Sequence, residues 1–161
     1  MTCNGGGSSM ALSEKQQNAI KLASDKSFPF VERCGVQTLE VERGYCRMLM
    51  PLKPNLNHVG IMYAGALYTI AELPAGTLYL SSFDTKRFYP IVKDVWIRFR
   101  RPATTDVTVE VTLSEEEISR IESTTEEMGQ CDFEWDVEMK DANGEVVAIS
   151  HNVYQLRKIR R

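Results

Sequence analysis

The sequence predicts an α+β fold in which an antiparallel sheet wraps one long central helix, with a short helix added before it. Three observations lead there. From Met62 to Ile70 the residues are apolar, small or aromatic without a charge, which suits a helix enclosed by other elements. Three later runs alternate apolar and polar residues with a period of two, the pattern of half-buried antiparallel strands. The order is helix, strand pair, long helix, then strands, so helices and strands are segregated along the chain. One sheet around one helix is the economical way to bury that helix's whole circumference. A two-layer sandwich with the helix outside is the alternative, and the uncharged run argues against it.

Each element has its own signal. Ser13 and Gln16 form a capping box, and Leu12, Gln16, Ala19, Ile20 and Ala23 fall on one face at helical spacing. This predicts a first helix from Ser13 to Ser27, closed by Pro29. From Val36 the period becomes two. Leu39 and Val41 alternate with Glu40 and Glu42, Arg43-Gly44 turns, and Tyr45 to Met50 returns before Pro51 and Pro54. The long helix follows, and Pro74 should kink or interrupt it.

Val95, Ile97 and Phe99 then oppose Asp94, Trp96, Arg98 and Arg100, while Val107 to Leu113 forms a second alternating run. The third alternates without a fault from Cys131 to Met139. Asp141 to Gly144 is a hairpin turn, and Glu145 to Arg157 the returning strand. The acidic stretch from Ser114 to Gly129 has little periodicity and reads as a solvated excursion with a turn of helix after the Ser114/Glu117 capping box.

Composition bounds the function. With 161 residues and 43% apolar content, residues 11–161 make one domain that buries a core without metal or disulfide support. Residues 1–10, MTCNGGGSSM, read as a disordered leader too polar for a signal peptide. A net charge of −3 gives no general pull toward nucleic acid. No apolar run approaches the ~20 residues of a membrane span, so a cytoplasmic protein is expected. Cys3, Cys34, Cys46 and Cys131 are scattered without close pairs and read as free thiols rather than metal ligands.

The residue that needs explaining is Glu72, the sole acid between Glu42 and Asp84. A carboxylate ending an uncharged run must reach solvent or be held in a cleft, because burying it unpaired costs several kcal/mol. It either marks where the helix emerges, pairs with an arginine, or performs chemistry.

Gly35-Val36, Gly44, Leu49-Met50-Pro51, Asn57, Gly60, Ala64-Gly65-Ala66-Leu67 and Ala71-Glu72 together resemble the signature of hot dog fold acyl-CoA thioesterases of the phenylacetate-degradation (PaaI-like) type. The resemblance runs from about Gly35 to the C-terminus. It implies that Glu72 is the catalytic carboxylate, acting as general base or nucleophile, and that Asn57 positions water or thioester. It also implies that the backbone N–H groups of Ala64 and Gly65 form the oxyanion hole. The departure is Tyr63, which stands in the place of the usual His, with Ala64 in place of the first Gly. No cofactor is implied beyond the coenzyme A of the substrate.

Geometry adds an independent constraint. At ~1.5 Å rise per residue, the eight positions between Ala64 and Glu72 span roughly 12 Å, so one carbonyl cannot touch both within a subunit. A shared site then requires at least a homodimer, or a dimer of dimers, with sites at the subunit interface. Arg98, Arg100 and Arg101 are candidates for the coenzyme A phosphates, or else a solvated strand edge. His58 lies 14 residues before Glu72, similar to the His and Glu of hot dog hydroxyacyl dehydratases, a second reaction class. A non-catalytic acyl or acyl-CoA binding protein is the third reading, favoured by Tyr63. His151, in mid-strand, reads as structural.

Overall fold

The computed structural model describes residues 11–26 and 28–160; the expected leader at 1–10 and the expected helix end at Ser27 lie outside them. Helix α1 (Glu14–Asp25) starts as the capping box requires. Ser13 Oγ accepts the Gln16 amide, and Gln16 Oε1 accepts the Ser13 backbone N–H. Pro29 opens a helix where the sequence was expected only to close one. It takes the first position of α2 (Pro29–Cys34), where its missing N–H has no intrahelical partner to lose.

Strands β1 (Gln37–Glu42) and β2 (Tyr45–Met50) form a hairpin. Its turn needs glycine twice over: Gly44 has φ 74°, and a Cβ there would come 2.4 Å from the Leu113 carbonyl oxygen. The central helix runs as α3 (Ala64–Glu72) and α4 (Pro74–Ser82), joined through Leu73, which is itself helical at φ −56°, ψ −32°. Pro74 offers no N–H to the Ile70 carbonyl. The joint tightens instead, with Gly76 N–H donating to Leu73 O at 3.0 Å.

Helix α3 packs against β2, β3 (Phe88–Phe99), β4 (Val107–Thr112), β5 (Gln130–Lys140) and β6 (Val146–Lys158). Ala66, Leu67, Ile70 and Ala71 are buried there among Met48, Met50, Val109, Met139 and Ala148. The enclosure stops short of the whole circumference that the sequence suggested. Every fourth residue of the central helix, Ala64, Tyr68, Glu72, Gly76 and Leu80, is exposed or half-buried. One slanting row is left open, and Glu72 stands on it.

Among the described residues the strands form one antiparallel sheet in the order β1-β2-β4-β5-β6-β3. Its two edges differ. Along β1, Asp25 of α1 accepts the Thr38 N–H and hydroxyl (2.7 and 2.6 Å), and Lys21 donates to the Leu39 carbonyl (2.6 Å). Strand β3 at the other edge begins at Phe88, ahead of the alternation, and accommodates Pro90 as edge strands can. Val95 and Ile97 are half-buried as expected, but Phe99 is exposed, together with Tyr89, Val92 and Trp96.

The sheet is tenuous at one place: β4 and β5 register only at Thr108 and Lys140. Here the solvated excursion expected at 114–129 proves to be a full helix, α5 (Glu115–Met128). It reaches both sides of that seam. Ile118 packs on Gly44 and Arg43 pairs with Glu115 at the β1–β2 turn, while the helix lies against β5 and β6. Acidic side chains hide the period because only a narrow stripe, Ile118, Ile121 and Thr125, is buried. Ser114 accepts the Glu117 amide at its start, and Gly129 closes it at φ 82°. Ile118→Ala should therefore destabilise the protein by about 2–4 kcal/mol in chemical denaturation, whereas a solvated excursion would give a change near zero.

Candidate active site

Glu72 sits on the open row of the central helix, immediately before Leu73 and the proline joint. Its backbone carbonyl accepts the Tyr154 hydroxyl at 3.2 Å. Just before it, the Ala71 carbonyl accepts a long bond from Asn152 Nδ2, 3.4 Å. Both partners come from the inner face of β6 and are buried. The end of α3 is thus tied down by its backbone, and the Glu72 side chain is left for other work. No arginine, lysine or histidine among the described residues forms an ion pair with its carboxylate, which removes the salt-bridge reading. Burial is the cause that raises its pKa above the ordinary glutamate value.

Glu72 lines a groove of about 250 Å³ between α1 and α4, with Ala23, Ser24, Gly76, Thr77 and Leu80 among its walls. Thr77 Oγ1 donates to Ser24 Oγ at 2.9 Å and pins the two helices together. Sequence reasoning missed this groove. Counting in fours from Ala64 would have found Tyr68 and Gly76, but nothing local announces that α1 forms the facing wall.

The start of α3 forms a separate place. Tyr63 is the N-cap and gives no side-chain hydrogen bond; its ring, 59% exposed, folds over Gly65, where an added Cβ would lie 2.4 Å from the ring. The amides of Ala66 and Leu67 both bond back to the Tyr63 carbonyl. Those of Ala64 and Gly65 precede them in the first turn, where no carbonyl of the helix can reach.

A second cavity of about 320 Å³ adjoins this turn and is lined by Asn57, Ala64, Arg100 and Arg101, with Phe99 at the end of β3. Asn57 Oδ1 is occupied: it accepts the Val59 and Ile61 amides at 2.9 and 3.2 Å and shapes the loop entering the helix. Arg101 also pairs with Glu145.

The predicted residues therefore fall into two groups. Asn57, Ala64, Arg100 and Arg101 share one cavity, and Glu72 lines the other. Within one subunit they do not meet, as the rise of the helix requires. His58 is exposed on the turn before the helix and lines neither cavity, and Arg98, exposed on β3, lines neither as well. His151 bonds Asp136 across the outer face of the sheet at 2.8 Å, and that bond raises its pKa. Two wider hollows of about 600 and 620 Å³ lie around Lys86, Gly129 and Arg157 and hold none of the predicted residues. Arg87 and Lys158 beside them are both ion-paired to Glu126.

Comparison with known proteins places this architecture. The family described as Domain of unknown function (DUF4442) matches residues 16–154. A crystal structure from Pseudomonas aeruginosa, PA5026, described as a protein of unknown function and probable thioesterase, shares 45% identity at a TM-score of 0.85, over 88% of this chain and 95% of that one. A putative thioesterase from Shewanella oneidensis shares the fold at 21% identity and a TM-score of 0.72, over 89% and 98% of the two chains. So does a mutant form of the Pseudomonas aeruginosa thioesterase PA1618, at 17% identity and 0.69, over 89% and 94%. No curated protein matches the sequence. A helix wrapped by one antiparallel sheet, a lone carboxylate on its open row and these likenesses agree: the chain belongs to the DUF4442 family, within the hot dog fold thioesterase superfamily.

Proposed function

We propose that this protein is an acyl-CoA thioesterase in which Glu72 acts as general base. The observation that carries the reading is the state of that carboxylate: half-buried, unpaired among the described residues, raised in pKa by burial and set at the rim of an apolar groove. A desolvated carboxylate is a stronger base than one in water, which general base catalysis near neutral pH exploits.

In the proposed reaction Glu72 takes a proton from water as the water oxygen adds to the thioester carbonyl. The oxyanion so formed accepts hydrogen bonds from the amides of Ala64 and Gly65 of a second subunit, which find no partner among the described residues. When the intermediate collapses, the C–S bond breaks and the protonated Glu72 returns its proton to the departing thiolate. The products are the free acid and coenzyme A, and no further cofactor is needed. Arg100 and Arg101, in the cavity of Ala64, suit the phosphates of coenzyme A. The resemblance to the phenylacetate-degradation type and the probable thioesterase at 45% identity support this reading.

The proposal includes a homodimer, because the two groups of residues must come from two subunits. The bare edge of β3 supports it: this twelve-residue strand ends the sheet and exposes Tyr89, Val92, Trp96 and Phe99. An open edge strand of this length, with those four side chains exposed along it among Lys93, Asp94 and Arg98, can template pairing, and a two-fold axis would bring like strands together. A cytoplasmic location fits the reading, as coenzyme A esters are intracellular substrates; no helix among the described residues is long and apolar enough to cross a membrane.

The decisive comparison is thiol release from a panel of acyl-CoAs by wild type and Glu72→Gln. Loss of a general base should lower turnover by roughly 10²-fold or more while binding persists. Binding without turnover in the wild type would replace the thioesterase reading with that of an acyl-CoA binding protein, with Tyr63 in the histidine's place as the reason. Stability gives a second readout. The folded-state pKa of Glu72 lies above the unfolded value, so the native state binds the extra proton, and stability falls as pH rises from the ordinary glutamate range through that raised pKa. Glu72→Gln should therefore melt higher than wild type at neutral pH, and the gap should close in acid below the ordinary glutamate range. For the interface, Trp96→Lys should shift sedimentation from dimer to monomer and abolish thiol release while the circular dichroism spectrum stays native.

A further inference from the structure

We infer that the groove between α1 and α4 is the site of the acyl tail, and that Gly76 sets the length of chain it accepts. The inference builds on the thioesterase reading and names the part of the substrate that this cavity takes. Two observations carry it. The groove runs from Glu72 along Gly76 and Leu80, and among the described residues Glu72 is the one charged residue in its lining. With no cation among those residues to pair with the phosphates of coenzyme A, its walls suit the uncharged end of a thioester.

Gly76 is the second observation. It is the third residue of α4 and its φ is not positive, so the backbone does not call for glycine. A Cβ added there would meet nothing within 4 Å, and alanine is the better helix former at such a position. Neither packing nor conformation in this chain requires glycine. What a side chain at 76 would occupy is the groove itself. From the facing helix, Ala23 and Ser24 contribute equally small side chains, and the Ser24–Thr77 bond fixes the spacing of the walls. A volume of about 250 Å³, set against the about 30 Å³ that a water molecule takes up in the liquid, has room for roughly eight groups of that size, the scale of a medium-length acyl chain.

The test measures binding of non-hydrolysable butyl, octyl and dodecyl thioethers of coenzyme A by calorimetry, on wild type and Gly76→Leu. In the wild type each added methylene should tighten binding by up to about fourfold, levelling off near octyl. In Gly76→Leu the octyl and dodecyl compounds should bind no better than butyl, with the butyl affinity retained. If Gly76→Leu does not fold, Ala23→Leu fills the groove from the other wall and is read in the same way. A chain-length profile that is flat in the wild type, or the same in wild type and variant, overturns the inference. Thiol release assayed in parallel separates the two readings. Hydrolysis with an unaltered profile removes the tail site and leaves the thioesterase; a profile that Gly76→Leu abolishes, without hydrolysis, keeps the tail site and removes the enzyme.

Discussion

A helix that carries no charge from Ala64 to Ala71 has to be covered, and most of this structure is the means of covering it. Burial of apolar surface is the dominant favourable term in folding, and the sheet curves so that five of its strands touch α3. What the sheet leaves bare then becomes informative. The open row from Ala64 to Leu80 holds the carboxylate that a fully wrapped helix could not bury unpaired, beside an exposed tyrosine and an exposed glycine. Pro74 accentuates this. By withholding an amide from Ile70 it puts a joint in the helix two residues after Glu72, and Tyr154 and Asn152 tie down the backbone on the near side of that joint.

The wrapping has a structural cost of its own at the seam between β4 and β5. Only one registered pair joins the two strands there, and α5 spans the gap from the β1–β2 turn to β6. The acidic surface of that helix is therefore incidental to its work, which is done by Ile118 and Ile121 beneath it.

Much of this was legible in the sequence where one signal dominated. The unbroken alternation from Cys131 to Met139 became β5, the Ser13 capping box became the start of α1, and the Asp141 to Gly144 turn lies between β5 and β6 as expected. The failures share a cause. Helix α5 has a buried stripe only one residue wide, so its acidic majority outweighed Ile118, Ile121 and the caps at both ends. Strand β3 exposes Phe99 near its end on a bare edge, so that residue's place in the alternation did not report burial. The enclosure of the central helix was overestimated because a stretch without charge does not say which of its faces is left open. In the site, Glu72 stood out because it is a solitary acid in an apolar context, and its distance from Ala64 followed from helical rise alone. The groove beside it did not, since its walls come from segments about fifty residues apart.

The two ends of the sheet are chemically unequal, and this limits how the molecule can grow. At β1, Asp25 and Lys21 occupy backbone groups that another strand would need; at β3 no helix takes that part among the described residues. A sheet with one sealed end and one open end has a single valence. Two copies joined edge to edge through β3 consume both valences and leave sealed ends outward, so the union terminates itself. A curved sheet with apolar residues along a bare strand would otherwise be a monomer unit for fibres, and α1 is what makes it a chain stopper.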